Sequence, residues 1–166
     1  MTFSLIGRCT RTGQIGAAVA CASLAGAAAV AQCEAGVGAV LTQHRTDPRL
    51  GPRGLGLLRT GCDATEATDA LQASTAHWEW RQIAVLDADG NTAARSGNRV
   101  KTEMGEAPAR DAVAIGCGLA NVRVPAAMLH SFLSNDGLPL PERLMRTLEA
   151  GLFAGDRGEG VEKIAR

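Results

Sequence analysis

Thr2-Phe3-Ser4-Leu5-Ile6-Gly7-Arg8, followed across Arg11-Thr12-Gly13-Gln14 by Ile15 to Ser23, is the stretch that decides the fold. The first run is apolar at its centre and predicts a strand that begins at Thr2. Gly13 can take a positive φ, so the four residues around it predict a turn. The second run then returns as a strand, and the pair makes a hairpin. Gly16, Ala17, Ala18 and Ala20 suit a strand buried on both faces. Alanine is a poor strand former, so a helix over Ala17 to Ala31 competes with that reading.

Further along, Gly36 to Gln43 predicts a third strand. Asp47-Pro48 and Gly51-Pro52 punctuate a loop. A short helix with Leu55, Leu57 and Leu58 runs from near Pro52 to Gly61. Asp63-Ala64-Thr65-Glu66 has the form of a capping box and opens a second helix, to about Ser74. Trp80 to Asp87 and Thr92 to Ser96 are strands joined at the Asp89-Gly90 turn. Residues 97 to 111 read as loop, and Ala112 to Ala120 as a further strand. Val124 to Ser134 and Pro141 to Phe153 are helices, and the charged tail Asp156 to Arg166 closes the chain. Strands in blocks separated by helix pairs point to an α+β layered fold with antiparallel sheets, in one domain over 1–166.

Composition narrows the function. Lys+Arg and Asp+Glu are both 17, and the isoelectric point is near 6.8. Such a balance gives no general attraction to nucleic acid or to anionic membrane. Aromatic residues make up 3%, which leaves few platforms for stacking bases. The longest apolar stretch, Leu24 to Ala31, falls well short of the ~20 residues of a membrane span. With no secretory signal and an odd five cysteines lacking CxxC spacing, the expected location is the cytoplasm. The cysteines read as small buried apolar residues. His44, His77 and His130 are scattered and make no metal case, and no cofactor motif is present.

Thr2 stands directly behind Met1. Initiator methionine is usually removed before a small residue. That removal would set the Thr2 hydroxyl beside its own α-amine, whose reference pKa is about 7.7–8.0. A hydroxyl with an adjacent base of matched pKa is a recognised activation scheme. An ordinary strand start accounts for the same residue.

Thr2 to Ile6 with Thr12 to Gly16, Glu34 to Val40 with Thr42-Gln43, and Gly51 to Leu55 with Gly61 together resemble one family. Arg81 to Val85, Ser96-Gly97, and Pro141-Glu142-Arg143-Leu144 through Gly155-Asp156 extend the likeness. The family is the uncharacterised domain of unknown function 1028, whose members are regarded as N-terminal-nucleophile (Ntn) hydrolases. The resemblance implies an Ntn-hydrolase-like αββα four-layer sandwich with antiparallel sheets. It also implies amide hydrolysis through Thr2 as catalytic nucleophile, acting on a small amide or peptide-like substrate. Gln43 either binds substrate or caps its strand. Arg81 either holds a substrate carboxylate or forms a structural ion pair. The resemblance also implies a substrate-binding position at Cys117, where relatives often carry Asn.

Other departures are Leu24 after Ser23, where many relatives have Lys or His, and Met104-Gly105-Glu106 in place of a tryptophan-glycine-histidine element. The chain also reads as C-terminally short relative to the family. These departures favour an alternative, a catalytically inactive Ntn-fold protein serving as a small-molecule binding or oligomeric scaffold module. A homo-oligomer is expected in either case, because sheet edges need covering.

Overall fold

The computed structural model describes residues 1–23, 26–100 and 103–155. The tail from Asp156 and part of the Leu24–Ala31 stretch lie outside the described residues.

Strand β1, Thr2–Arg8, turns at Gly13 and pairs with β2, Ile15–Cys21, as the hairpin pattern predicts. β2 is a sheet edge, half-buried rather than buried on both faces, which corrects the sequence reading. Its small residues instead admit helix side chains. A Cβ on Gly16 would lie 2.9 Å from a methyl group of Leu144. The competing long helix reduces to α1, Gly26–Val30, which runs straight into β3, Ala31–Glu34.

Next come β4 (Gly38–His44), α2 (Leu50–Arg59) and α3 (Ala64–Ser74). A single 3-10 turn, Trp78–Trp80, leads into β5 (Arg81–Asp87), and Gly90 at φ 89° turns the chain into β6 (Thr92–Ser96). The expected loop contains a strand, β7 (Gly105–Ala109), before β8 (Ala112–Cys117). β7 is an edge strand, where Pro108 is tolerated because an edge leaves one row of N–H groups unpaired. The chain ends in α4 (Val124–Ser134) and α5 (Leu140–Gly155).

The eight strands form two antiparallel sheets, β2-β1-β8-β7 and β3-β4-β5-β6. Side-chain alternation sorts their residues into three cores. Phe3, Leu5, Ala112 and Ala114 pack with Met128, Phe132 and Leu140 of α4 and α5. Val40, Ile83, Val85 and Ala93 pack with Leu55, Leu58, Ala67 and Leu71 of α2 and α3. Between them, Ile6, Val113 and Ile115 of one sheet meet Leu41, Ala84 and Leu86 of the other.

The predicted capping box on α3 is present. Glu66 N–H donates to Asp63 Oδ1 at 2.9 Å, and Asp63 N–H donates to Glu66 Oε2 at 3.0 Å. Asp63→Ala removes one acceptor from the orphan N–H groups of the first turn. We expect it to cost about 1 kcal/mol in urea unfolding. An unchanged midpoint would show that the cap contributes nothing.

None of the five cysteines forms a disulfide. Cys9 and Cys117 are buried as expected, but Cys33 is exposed and Cys21 and Cys62 are half-buried. Among the described residues no helix is long and apolar enough to cross a membrane, and no cluster of three or more His, Cys, Asp or Glu could hold a metal ion.

Candidate functional site

β1 lies inside its sheet, with β2 on one side and β8 on the other. The register sets Thr2 opposite Cys21 of β2 and opposite Cys117 of β8. Alternation places Thr2 on the same face as Ser4 and Ile6, where the two sheets meet. The half-buried Thr2 hydroxyl donates to Cys21 Sγ at 3.4 Å. That hydrogen bond, followed by the Ser23 N–H, holds the Cys21 thiol below its ordinary pKa, with burial working the other way.

One step further between the sheets, a polar network replaces the apolar core. Ser4 Oγ donates to Gln43 Oε1 at 2.8 Å. Gln43 Nε2 donates to Gln82 Oε1 at 2.6 Å and to Cys117 Sγ at 3.9 Å. Gln82 Nε2 reaches Ser96 Oγ at 2.8 Å and the carbonyls of Gly116 and Gly105 at 3.2 and 3.3 Å. Ser4, Gln43 and Gln82 are all fully buried. A fully satisfied buried network fixes the relative position of its strands. Here it links β1 and β8 of one sheet to β4, β5 and β6 of the other, directly behind Thr2.

Of the residues singled out from sequence, Thr2, Gln43 and Cys117 therefore gather at one end of the sheets. Gln43 does not cap its strand. Its carboxamide accepts from Ser4 and donates to Gln82 and Cys117, so it positions the strands around Thr2.

Arg81 departs from that group. It shares a face with Ile83, which packs against α2 and α3, so it points away from Thr2. Its Nε donates to Ala76 O at 3.0 Å, its Nη1 donates to Arg45 O, and its Nη2 lies 3.5 Å from Asp47. This is the structural ion pair of the two alternatives. The Arg49 guanidinium, with Arg81 adding to it, holds the Asp47 carboxyl down at about 2.

An ordinary unfolded aspartate titrates near 3.9. A pKa depressed in the folded state means stability that is present above about pH 4 and is lost as pH falls toward 2. The gap in urea midpoint between wild type and Asp47→Asn should thus be open at pH 6 and narrow progressively as pH falls from about 4 toward 2. A gap independent of pH would contradict this assignment.

Ser4, Gln82 and Ser96 were not singled out as site residues. The available signal was a glutamine inside an apolar run, Gln43 after Val40-Leu41 and Gln82 before Ile83-Ala84-Val85, since a buried polar side chain requires a partner. A cleft of about 640 Å³ opens at this same end, against Gly118 and Trp80. Another, of about 530 Å³, lies at the opposite end around Asp87, whose carboxylate is occupied by the N–H groups of Ala64, Asp89 and Asn91.

The model of a family of unknown function, DUF1028, matches residues 2–164. The crystal structure of protein SPO2555 from Silicibacter pomeroyi, of the same family model, is similar at a TM-score of 0.87 and 28% identity. The match covers 92% of this chain and 70% of that one. No curated protein matches.

Proposed function

The chain belongs to the DUF1028 family of unknown function, and from that premise we propose that it is an N-terminal-nucleophile amidohydrolase acting through Thr2. The two sheets, with α2 and α3 outside one and α4 and α5 outside the other, are read here as an Ntn-type αββα four-layer sandwich. One observation carries the reading. Thr2 is the half-buried first residue of β1, on the face where the two sheets meet, and the Ser4–Gln43–Gln82 network stiffens the ground beside it.

Hydrolysis of the Met1–Thr2 bond frees the Thr2 amine. That amine takes the proton from Oγ1 as the oxygen bonds to the substrate's amide carbon. The proton passes to the amide nitrogen as the C–N bond breaks, leaving an ester on Thr2. Water, deprotonated by the same amine, then attacks the ester carbon, and the C–Oγ1 bond breaks as the amine returns that proton to Oγ1 and the acid leaves. Gln43 and Cys117 act as positioning residues in this scheme, because the Gln43 amide hydrogens are directed at Gln82 and Cys117.

A β-lactone, which acylates activated hydroxyls, tests the reading directly. Peptide mass mapping should place the adduct on Thr2. An adduct on Cys21, or none, would overturn it.

The second reading is a non-catalytic binding or oligomeric scaffold module. It is favoured by α5, which leaves Met145, Leu152 and Phe153 exposed about two turns apart on one side of the helix. Exposed apolar groups in such an arrangement suit contact with another chain.

A further inference from the structure

Two cysteines flank Thr2. The register sets Cys21 of β2 on one side of it and Cys117 of β8 on the other, and cross-strand partners share a face of the sheet. Their surroundings differ. Cys117 is buried, and its Sγ receives Gln43 Nε2 at 3.9 Å. Cys21 is half-buried on the edge strand, and its Sγ receives the Thr2 hydroxyl and the Ser23 N–H, each at 3.4 Å. A glycine makes room for this thiol. A Cβ on Gly26, the first residue of α1, would lie 3.0 Å from Cys21 Sγ. The sulfur is therefore held by the end of β2, the bend at Ser23 and the start of α1.

A side chain such as threonine has three staggered χ1 positions, and each sends Oγ1 to a different place. The bond to Cys21 Sγ selects the one that directs the oxygen toward β2. Sulfur suits the position for a second reason, since a thiol both accepts and donates weakly. At rest Sγ accepts from the Thr2 hydroxyl. When that proton passes to the Thr2 amine, the Cys21 S–H can donate to Oγ1 in its place. A donor already aimed at an atom where charge develops lowers the barrier.

We propose that Cys21 is a positioning residue for the Thr2 nucleophile, holding Oγ1 toward β2 and donating to it once its proton has left. The inference rests on the Thr2 reading for the reaction, whereas the Thr2–Cys21 hydrogen bond does not. Cys21 forms no bond to substrate. Its effect falls on the acylation step and not on affinity.

Two measurements separate the bond from the reaction. The first is alkylation of Cys21 by iodoacetamide across pH, followed by peptide mass mapping, in wild type and Thr2→Val. Valine keeps the shape and removes the hydroxyl. The Thr2 hydrogen bond is the largest cause holding the Cys21 thiol below its ordinary value, so the midpoint should move up in the variant. An unmoved midpoint would overturn the proposal. The second is the rate at which the β-lactone acylates Thr2, with its half-saturating concentration. Cys21→Ala should slow the maximal rate about tenfold, from the lost choice among three rotamers together with one lost weak hydrogen bond. The half-saturating concentration should not change. Cys21→Ser, which also accepts and donates, should recover to within about threefold of wild type. Equal rates in wild type and Cys21→Ala, or equal slowing in the alanine and serine variants, would overturn the proposal. A shifted Cys21 midpoint with no Thr2 adduct in any variant would instead overturn the Thr2 reading, and the role of Cys21 with it.

Discussion

Thr2→Ala should lower amide hydrolysis by several orders of magnitude while leaving the fold in place. The substitution removes the atom that forms the covalent bond to substrate, and no other group replaces it in the scheme proposed above. Its structural cost is small. Thr2 is half-buried, and among the described residues its one side-chain hydrogen bond is a long contact to Cys21 Sγ. Stability should therefore change by less than about 1 kcal/mol. Thr2→Ser should retain part of the activity, because hydroxyl and amine keep their relation. The rate should rise with pH through a value near that of an α-amine, where the general base loses its proton. Turnover of small amides by wild type and Thr2→Ala, measured side by side, decides the matter. An active Thr2→Ala protein would remove the basis of the mechanism.

The largest effect on stability should come from Gln82→Leu. Gln82 joins both sheets through bonds to Gln43, Ser96, Gly105 O and Gly116 O, in a place with no access to solvent. Leucine has a similar size but no polar atoms. The substitution leaves a Gln43 N–H and the Gly116 carbonyl without these partners, buried between the sheets. A buried polar group left unpaired costs about 1–3 kcal/mol. We expect a total loss of about 3–5 kcal/mol in urea unfolding, a large share of the 5–15 kcal/mol typical of a domain. Ser96→Ala, at the margin of the network, should cost about 1 kcal/mol. A loss under 1 kcal/mol for Gln82→Leu would mean that the network does not join the sheets.

Most elements were legible because their signals are local. The hairpin at Gly13, the capping box at Asp63 and the turn at Gly90 each follow from the chemistry of a few adjacent residues. β3 and β7 were not. Ala31-Gln32-Cys33-Glu34 and Gly105-Glu106-Ala107-Pro108-Ala109 have little strand propensity, and only their pairing with β4 and β8 makes them strands.

The site divides in the same way. Thr2 could be read from its place behind Met1. The Ser4–Gln43–Gln82 network spans three strands of two sheets, and no spacing in the sequence connects Ser4 with Gln43. Arg81 carried two readings, a carboxylate-holding site or a structural ion pair, and alternation turns it to the helix-covered face beside Asp47, where the second holds. Arg45, Arg99 and Trp80 come from three separate loops and strand ends, so only the folded chain assembles them.

The most direct test of the central claim is the intact mass of the purified protein. Catalysis by the Thr2 amine requires that the Met1–Thr2 bond be cut, because an amide nitrogen cannot accept the hydroxyl proton at neutral pH. The account predicts a mass lower than that of the full 166-residue sequence by one methionine residue, with threonine at the amino terminus. A protein that hydrolyses amides while every molecule retains Met1 would contradict it.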